Sequence, residues 1–189
     1  MQPKQSPRVD VVYFGQIRPL KGIEEFTSVV RLLGNHRQLK IQLIGQISPG
    51  YESYASTVLD PIKKLGVEVI LNRSREDVST LLSLARVALL PLPCGMSLRH
   101  GSVLAAMGNG ALLISKPPTD GPNNFSDICL TAQSTDALCQ LVLNAMENYD
   151  SYRNIWESGQ RFAMSISWEN IATRYVDVVQ KLRMNAINH

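Results

Sequence analysis

A doubly wound α/β domain, with six mostly parallel strands flanked by helices, is the architecture this sequence predicts. Three observations predict it. Short apolar runs rich in β-branched residues alternate with segments of helical period. The runs are nearly continuously apolar, as in strands buried on both faces, and do not alternate between apolar and polar residues. Polar residues and glycines gather directly after the runs, on the side where open parallel sheets bind ligands.

The first run, residues 9–14, ends at Gly15 and leads through a turn containing Pro19 into a helix over 22–33. Ile23, Phe26, Val30 and Leu33 fall on one face of that helix. The second strand, 39–44, ends at Gly45, and a helix over 51–65 follows. The third, 67–71, ends at Asn72. Ser74 is placed to cap a helix over 76–85, with Glu76 and Asp77 complementing its dipole. Strand four, 87–92, passes through a Gly-containing loop into a helix over 98–107, closed by Gly108, Asn109 and Gly110.

Strand five, 111–115, precedes the longest loop, 116–127, which holds Pro117, Pro118, Gly121 and Pro122 and is expected to border the ligand crevice. Strand six, 128–131, and a helix over 135–147 follow. Two helical segments come after Tyr149 with no strand between them. Ser167 is suited to cap the second, over 168–183, where Ile171, Tyr175, Val178 and Leu182 recur at helical spacing. The chain thus divides into a polar lead-in (1–8), the domain proper (9–166) and an amphipathic terminal helix (167–189).

Composition excludes several classes. A chain of 189 residues with 44% apolar and 19% charged residues is an ordinary globular domain with a sizeable core. A net charge of +3 without a Lys/Arg stripe excludes a nucleic-acid partner and is compatible with a small anionic ligand. Cys94, Cys129 and Cys139 are far apart, with no paired spacing for disulfides or zinc, which fits a cytoplasmic protein. Cys129 and Cys139 read as core residues. Cys94 lies in the loop after strand four, where a nucleophilic role would need His100 as its base. No run approaches the roughly 20 apolar residues that span a bilayer, and residues 1–7 lack the apolar stretch of a signal peptide.

Candidate ligand contacts lie behind the strands. After strand one, Gly15, Gln16, Arg18 and Lys21 precede a helix N-terminus, as a diphosphate site requires and as a solvated turn also allows. Gly45 closes strand two. Asn72 and Arg73 close strand three and are placed to border a base pocket, although the same stretch is also a plain helix cap. After strand four, Gly95, Met96, Ser97, Arg99 and His100 lead into the fourth helix, whose unpaired N–H groups and positive dipole end suit a phosphate. No GxGxxG follows strand one and no GxxxxGK[ST] occurs, so the common dinucleotide and P-loop fingerprints are excluded. His36, His100 and His189 have no metal-ligand spacing, and no nucleophile elbow is present.

In order, these motifs resemble the C-terminal, nucleotide-sugar-binding domain of retaining GT-B glycosyltransferases of the glycogen-synthase and sucrose-synthase-like group. Residues 14–22 are similar to its G-x-[IL]-x-x-x-K-G opening. The likeness continues through 43–45, 67–72, 84–91 and 105–115 to Ser167 and Trp168. The resemblance implies a Rossmann-like half of a GT-B fold, a UDP- or GDP-sugar as donor, no metal cofactor, and Lys21 as a diphosphate-binding lysine. The family's arginine position in that turn carries Gln16, with Arg18 nearby. Its Glu-x7-Glu pair falls on Ser97 and Ala105, so both carboxylates are absent. Residues 95–106 are instead similar to the variant G-[VA]-S-x-R-x-G-[ST]-L-x-A-A, in which Ser97 and Arg99 are implied to hold donor phosphate and sugar.

The family's acceptor-binding half would precede Val9. The chain is therefore expected to be a donor-binding half that works with an acceptor-binding domain or subunit in polysaccharide biosynthesis. The terminal helix would pack on the domain or on that other half, through which peripheral membrane association would come. A non-catalytic nucleotide-sugar-binding module, or an interaction domain, is the alternative.

Overall fold

The computed structural model describes residues 9–97, 99–118, 125–166, 170, 172–173, 175–176 and 178–180. The elements run β1 (Val9–Ile17), α1 (Ile23–Gly34), β2 (Ile41–Ile47), α2 (Glu52–Lys64), β3 (Glu68–Leu71), α3 (Arg75–Ser83), β4 (Ala85–Leu90), α4 (Gly101–Gly108), β5 (Leu112–Ser115), β6 (Leu130–Thr131), α5 (Thr135–Glu147) and α6 (Arg153–Ser165). The six strands form one sheet in the order β3-β2-β1-β4-β5-β6, and every pairing is parallel. After β3 the chain crosses over β1 and β2 to start β4 beside β1. The β1–β4 seam is therefore the point at which the winding reverses, and at such points the strand-end loops of α/β sheets part to leave a crevice.

Burial explains why these runs are strands. All four residues of β5 and five of six in β4 are buried, as expected for central strands covered on both faces. α1 buries Ile23, Phe26, Val30 and Leu33, the face its spacing predicts. Cys129 and Cys139 are core residues and Cys94 is exposed.

Most element ends shift by one to three residues from the sequence reading; β1 and β2 each run three residues further, to Ile17 and Ile47, which places Gly15, Gln16 and Gly45 inside strands. Four of the other shifts have a clear local reason. β4 begins at Ala85, two residues early, because Ala85 pairs with Val9. It stops at Leu90 because Pro91 has no N–H for the ladder, and the Leu92 amide turns back to the Leu90 carbonyl at 2.8 Å. β6 is only Leu130–Thr131, because the amides of Ile128 and Cys129 both donate to the Phe125 carbonyl at 3.0 Å. α4 begins at Gly101, not at 98, because His100 is extended (φ −83°, ψ 101°) and acts as the N-cap. Arg99 and His100 therefore precede the helix.

The end of α4 follows the expected Gly108–Gly110 signal. Gly110, at φ +78°, donates to the Met107 carbonyl, and Ala111 donates to that of Ala106. This is the paired bonding of a Schellman cap. α6 closes over α4 and the turn before β6 through Gly159, where a Cβ would lie 2.7 Å from the Ile128 carbonyl oxygen and 3.3 Å from Met107 Cε. Gly159→Ala is expected to lower stability by about 1–2 kcal/mol, an overpacking cost only partly offset by better helix propensity. Urea unfolding midpoints check this.

Ser167, Trp168, Ile171 and Leu182 lie outside the described residues, as do 119–124 of the long loop. Tyr175, Val176, Val178 and Val179 are helical and 45–71% exposed. Among the described residues no helix is long and apolar enough to cross a membrane.

Candidate functional site

A cavity of ≈ 680 Å³ opens at the carboxyl ends of β1, β2 and β4, at the reversal point. This volume is typical of small-molecule sites, which run from about 300 to 1,000 Å³. Its floor is the cross-strand pair Gly15 and Gly45, which lie opposite each other in register. Neither glycine has a positive φ, so steric room explains them better than a turn. A Cβ on Gly45 would stand 2.9 Å from the Gly15 carbonyl oxygen and 2.6 Å from Ile17 Cδ1.

The β1–α1 loop forms one rim. Gly22 is the N-cap of α1 at φ +79° and packs directly against the carbonyl of Pro91, beyond β4. This contact fixes Lys21 beside the reversal point. Lys21 lines the cavity, and its ammonium pKa is held below the usual lysine value, first by burial and then by the Arg18 charge. Arg18 does not line the cavity; its Nε donates to Gln16 Oε1 at 3.0 Å. Gln16 does line it.

The opposite rim is the segment leading into α4. His100 Nδ1 accepts from the Ser97 amide at 3.2 Å, so the neutral ring carries its proton on Nε2. Ser97 Oγ accepts from the Arg99 amide at 3.3 Å, which shapes the turn and occupies the hydroxyl oxygen locally. Arg99, His100, Gly101 and Ser102 line the cavity. In the first turn of α4 the Val103 amide donates back to the His100 carbonyl at 2.9 Å, while those of Gly101 and Ser102 have no intrahelical acceptor, so α4 brings its positive end to this wall. Ala105 lines the cavity one turn further on, with a methyl group where the resemblance expects a carboxylate.

The third wall follows β3. Asn72 is left-handed (φ +54°) and turns the chain outward. Ser74 caps α3 by accepting from the Asp77 amide at 3.1 Å, as its spacing predicts. Arg73 and Arg75 line the cavity, with Val78, Ser79 and Leu82 of α3 behind them.

Of the twelve residues selected from sequence, Gly15, Gln16, Lys21, Gly45, Arg73, Arg99 and His100 come together around one cavity. Arg18, Asn72, Gly95 and Ser97 stand behind the lining and shape its loops. Met96 is a correction: its side chain is fully buried, with Cys129 Sγ 3.3 Å from its sulfur, so it belongs to the core. A methionine in a polar, glycine-containing loop gives no sign of which way it turns.

The sequence reading missed Tyr13, Arg75, Ser79 and Asn109. Tyr13 sits in a strand run that reads as core. Ser79 and Asn109 are hydrogen-bonded to each other at 2.6 Å across α3 and α4, a contact 30 residues apart in the chain. Only Arg75 had a usable signal, as a second cation beside the Ser74 cap.

The electrostatics are one-sided. Lys21, Arg73, Arg75 and Arg99 line the cavity, and among the described residues no Asp or Glu does. None of the four forms a salt bridge to another described residue, whereas Lys116, just outside, pairs with Glu25 at 2.5 Å. Among the described residues no group of three or more His, Cys, Asp or Glu side chains could hold a metal ion. The arrangement is suited to a ligand with more than one negative charge.

No protein-family model matches the sequence, and no curated protein sequence matches it. Solved structures do match the fold. A glycosyltransferase from Rickettsia africae superposes with TM-score 0.75 at 15% identity, covering 94% of this chain and 49% of its own. Anabaena Alr3699/HepE, in complex with UDP and glucose, gives TM-score 0.67 at 18% identity over 93% of this chain and 48% of its own. The C-terminal domain of the glycosyl transferase group 1 family protein LpcC from Francisella tularensis gives 0.65 at 14% identity, over 86% and 88%. The chain thus spans about half the length of the first two and nearly all of the excised domain. Six parallel strands in this order, flanked by helices, give it the fold of the Rossmann-like half of a GT-B glycosyltransferase.

Proposed function

We propose that this chain is the donor-binding domain of a retaining glycosyltransferase and holds a nucleoside-diphosphate sugar, such as a UDP- or GDP-sugar. One observation carries the reading: four cations without carboxylate partners among the described residues meet the positive end of α4 around a cavity at the reversal point of the sheet. Lys21, Arg99 and the first turn of α4 bind the diphosphate, and His100 Nε2–H donates to phosphate or sugar. Gly15 and Gly45 keep the floor low enough for the ligand to lie against backbone, and Arg73 borders the base. That a protein of this fold, HepE, holds UDP and glucose supports the choice of ligand.

In glycosyl transfer the leaving group is the nucleoside diphosphate, and charge builds on its β-phosphate as the glycosidic bond breaks. Donors fixed before the reaction stabilise that charge without reorganising, which is commonly the largest single contribution to rate. This half therefore supplies leaving-group stabilisation. An acceptor-binding domain or subunit supplies the glycan, lipid or small-molecule acceptor and closes the cleft. Cys129 and Cys139, buried as thiols, fit work in the cytoplasm.

Calorimetric titration with UDP, GDP, UMP and uridine tests the reading. Charge-assisted hydrogen bonds contribute about 1.5–3 kcal/mol each, so a diphosphate should bind at least about tenfold more tightly than its nucleoside. Equal affinity for UDP and uridine, or no affinity for any nucleotide, would refute the proposal.

A further inference from the structure

We infer that Tyr13 is the positioning residue of Lys21: its buried hydroxyl pins the lysine backbone so that the side chain stays at the cavity wall. The consequence for ligand binding rests on the donor-binding reading above. Tyr13 is 1% exposed, and its Oη donates to the Lys21 carbonyl oxygen at 3.0 Å. Its ring is fixed against Phe26 of α1, with centroids 5.2 Å apart and planes tilted by 48°. The hydroxyl therefore has little freedom to follow a moving loop.

The loop is under strain that needs such a pin. Lys21 lies between two left-handed residues, Leu20 at φ +64° and Gly22 at φ +79°. Glycine adopts this region freely, but leucine does not, because its Cβ crowds the following carbonyl. Leu20 is 71% exposed, so its side chain gains little burial in return. A residue held this way persists only where its surroundings over-determine the backbone. Here the packing of Gly22 on Pro91 and the bond from the Tyr13 hydroxyl to the Lys21 carbonyl both hold the peptide that joins Lys21 to Gly22.

Gly15 belongs to the same device. A Cβ there would stand 3.1 Å from Tyr13 Oη, so the glycine leaves room for the hydroxyl as well as for a ligand. Burial, reinforced by Tyr54 and Glu24 and opposed by Arg18, pushes the Tyr13 pKa well above the ordinary tyrosine value. The group remains a protonated donor throughout the working range of the protein.

Tyr13→Phe keeps the ring and removes only the pin. Amide hydrogen exchange in the ligand-free protein should quicken about tenfold or more over residues 20–23 and stay unchanged in β4 and β5. UDP affinity should fall roughly three- to tenfold, with uridine affinity unaltered. Adding Leu20→Asn, which tolerates the left-handed region, should recover part of the UDP affinity. Unchanged exchange over 20–23 overturns the inference, and so does a uniform quickening across the sheet with equal loss for UDP and uridine. Failure of the unsubstituted protein to bind UDP would instead remove the donor-binding reading, while the exchange measurement still decides whether Tyr13 holds the loop.

Discussion

Gly22→Ala is expected to lower the stability of the domain by roughly 2–5 kcal/mol, the largest loss from adding a single methyl group among the glycines whose surroundings are known. Two costs add. The residue is at φ +79°, where an L side chain costs about 1–2 kcal/mol. The new Cβ would also lie 2.2 Å from the carbonyl oxygen and 2.8 Å from the carbonyl carbon of Pro91. These are backbone atoms at the end of a central strand and cannot swing aside as a side-chain tip would. Overpacking of this kind adds about 1–3 kcal/mol.

Relief requires α1 to withdraw from β4, because the bond from the Phe26 amide to the Gly22 carbonyl at 2.9 Å ties Gly22 into the first turn of the helix, so the two move together. Lys21 would move with it, so nucleotide affinity should fall as well. Gly34→Ala is the control: its φ is not positive and nothing lies within 4 Å of its Cβ position, so stability should hold or rise slightly. Urea unfolding of both variants decides the matter, and a loss under about 1 kcal/mol for Gly22→Ala would contradict the packing argument.

Gly22 also shows where sequence reasoning stops. The helical spacing of Ile23, Phe26, Val30 and Leu33 identifies α1 and its buried face, because periodicity reports which side of an element is dry. A glycine before a helix is just as legible as a cap. That it touches Pro91, 69 residues later in the chain, depends on β4 lying beside β1. Alternating strands and helices do not encode strand order, since every parallel crossover looks alike in sequence.

The candidate site divides in the same way. Residues at or just beyond the carboxyl ends of strands are found by a topological rule, and this brought seven of them to one cavity. Cavity residues inside elements look like core. Val78 and Leu82 repeat at helical spacing and Tyr13 sits in an apolar run, yet all three line the cavity. Met96 errs in the opposite direction, because a loop residue can fold back into the core when the Met96 amide is anchored to the Lys116 carbonyl at 3.2 Å.

Replacing Lys21 and Arg99 together with alanine is expected to weaken UDP binding by about 3–6 kcal/mol, roughly 10²- to 10⁴-fold. The two cations approach from opposite rims of the reversal point, one from the β1–α1 loop and one from the turn before α4. Neither has a carboxylate partner among the described residues, so their removal leaves no anion stranded and stability should scarcely change.

Their pH behaviour separates them. Burial and the Arg18 charge lower the Lys21 pKa in the free protein, and a bound diphosphate restores the charged form. UDP affinity should therefore hold steady between the second ionisation of its terminal phosphate, at about pH 6, and that lowered pKa, and decline as pH rises through the latter, on the alkaline side. Protons should be taken up on binding there, measurable as a difference in heat between buffers of unlike ionisation enthalpy. Lys21→Ala alone should abolish this uptake, and Arg99→Ala alone should retain it, because a guanidinium stays charged across the whole range. A double variant that binds UDP within about fivefold of the unsubstituted protein would place the diphosphate elsewhere than between these rims.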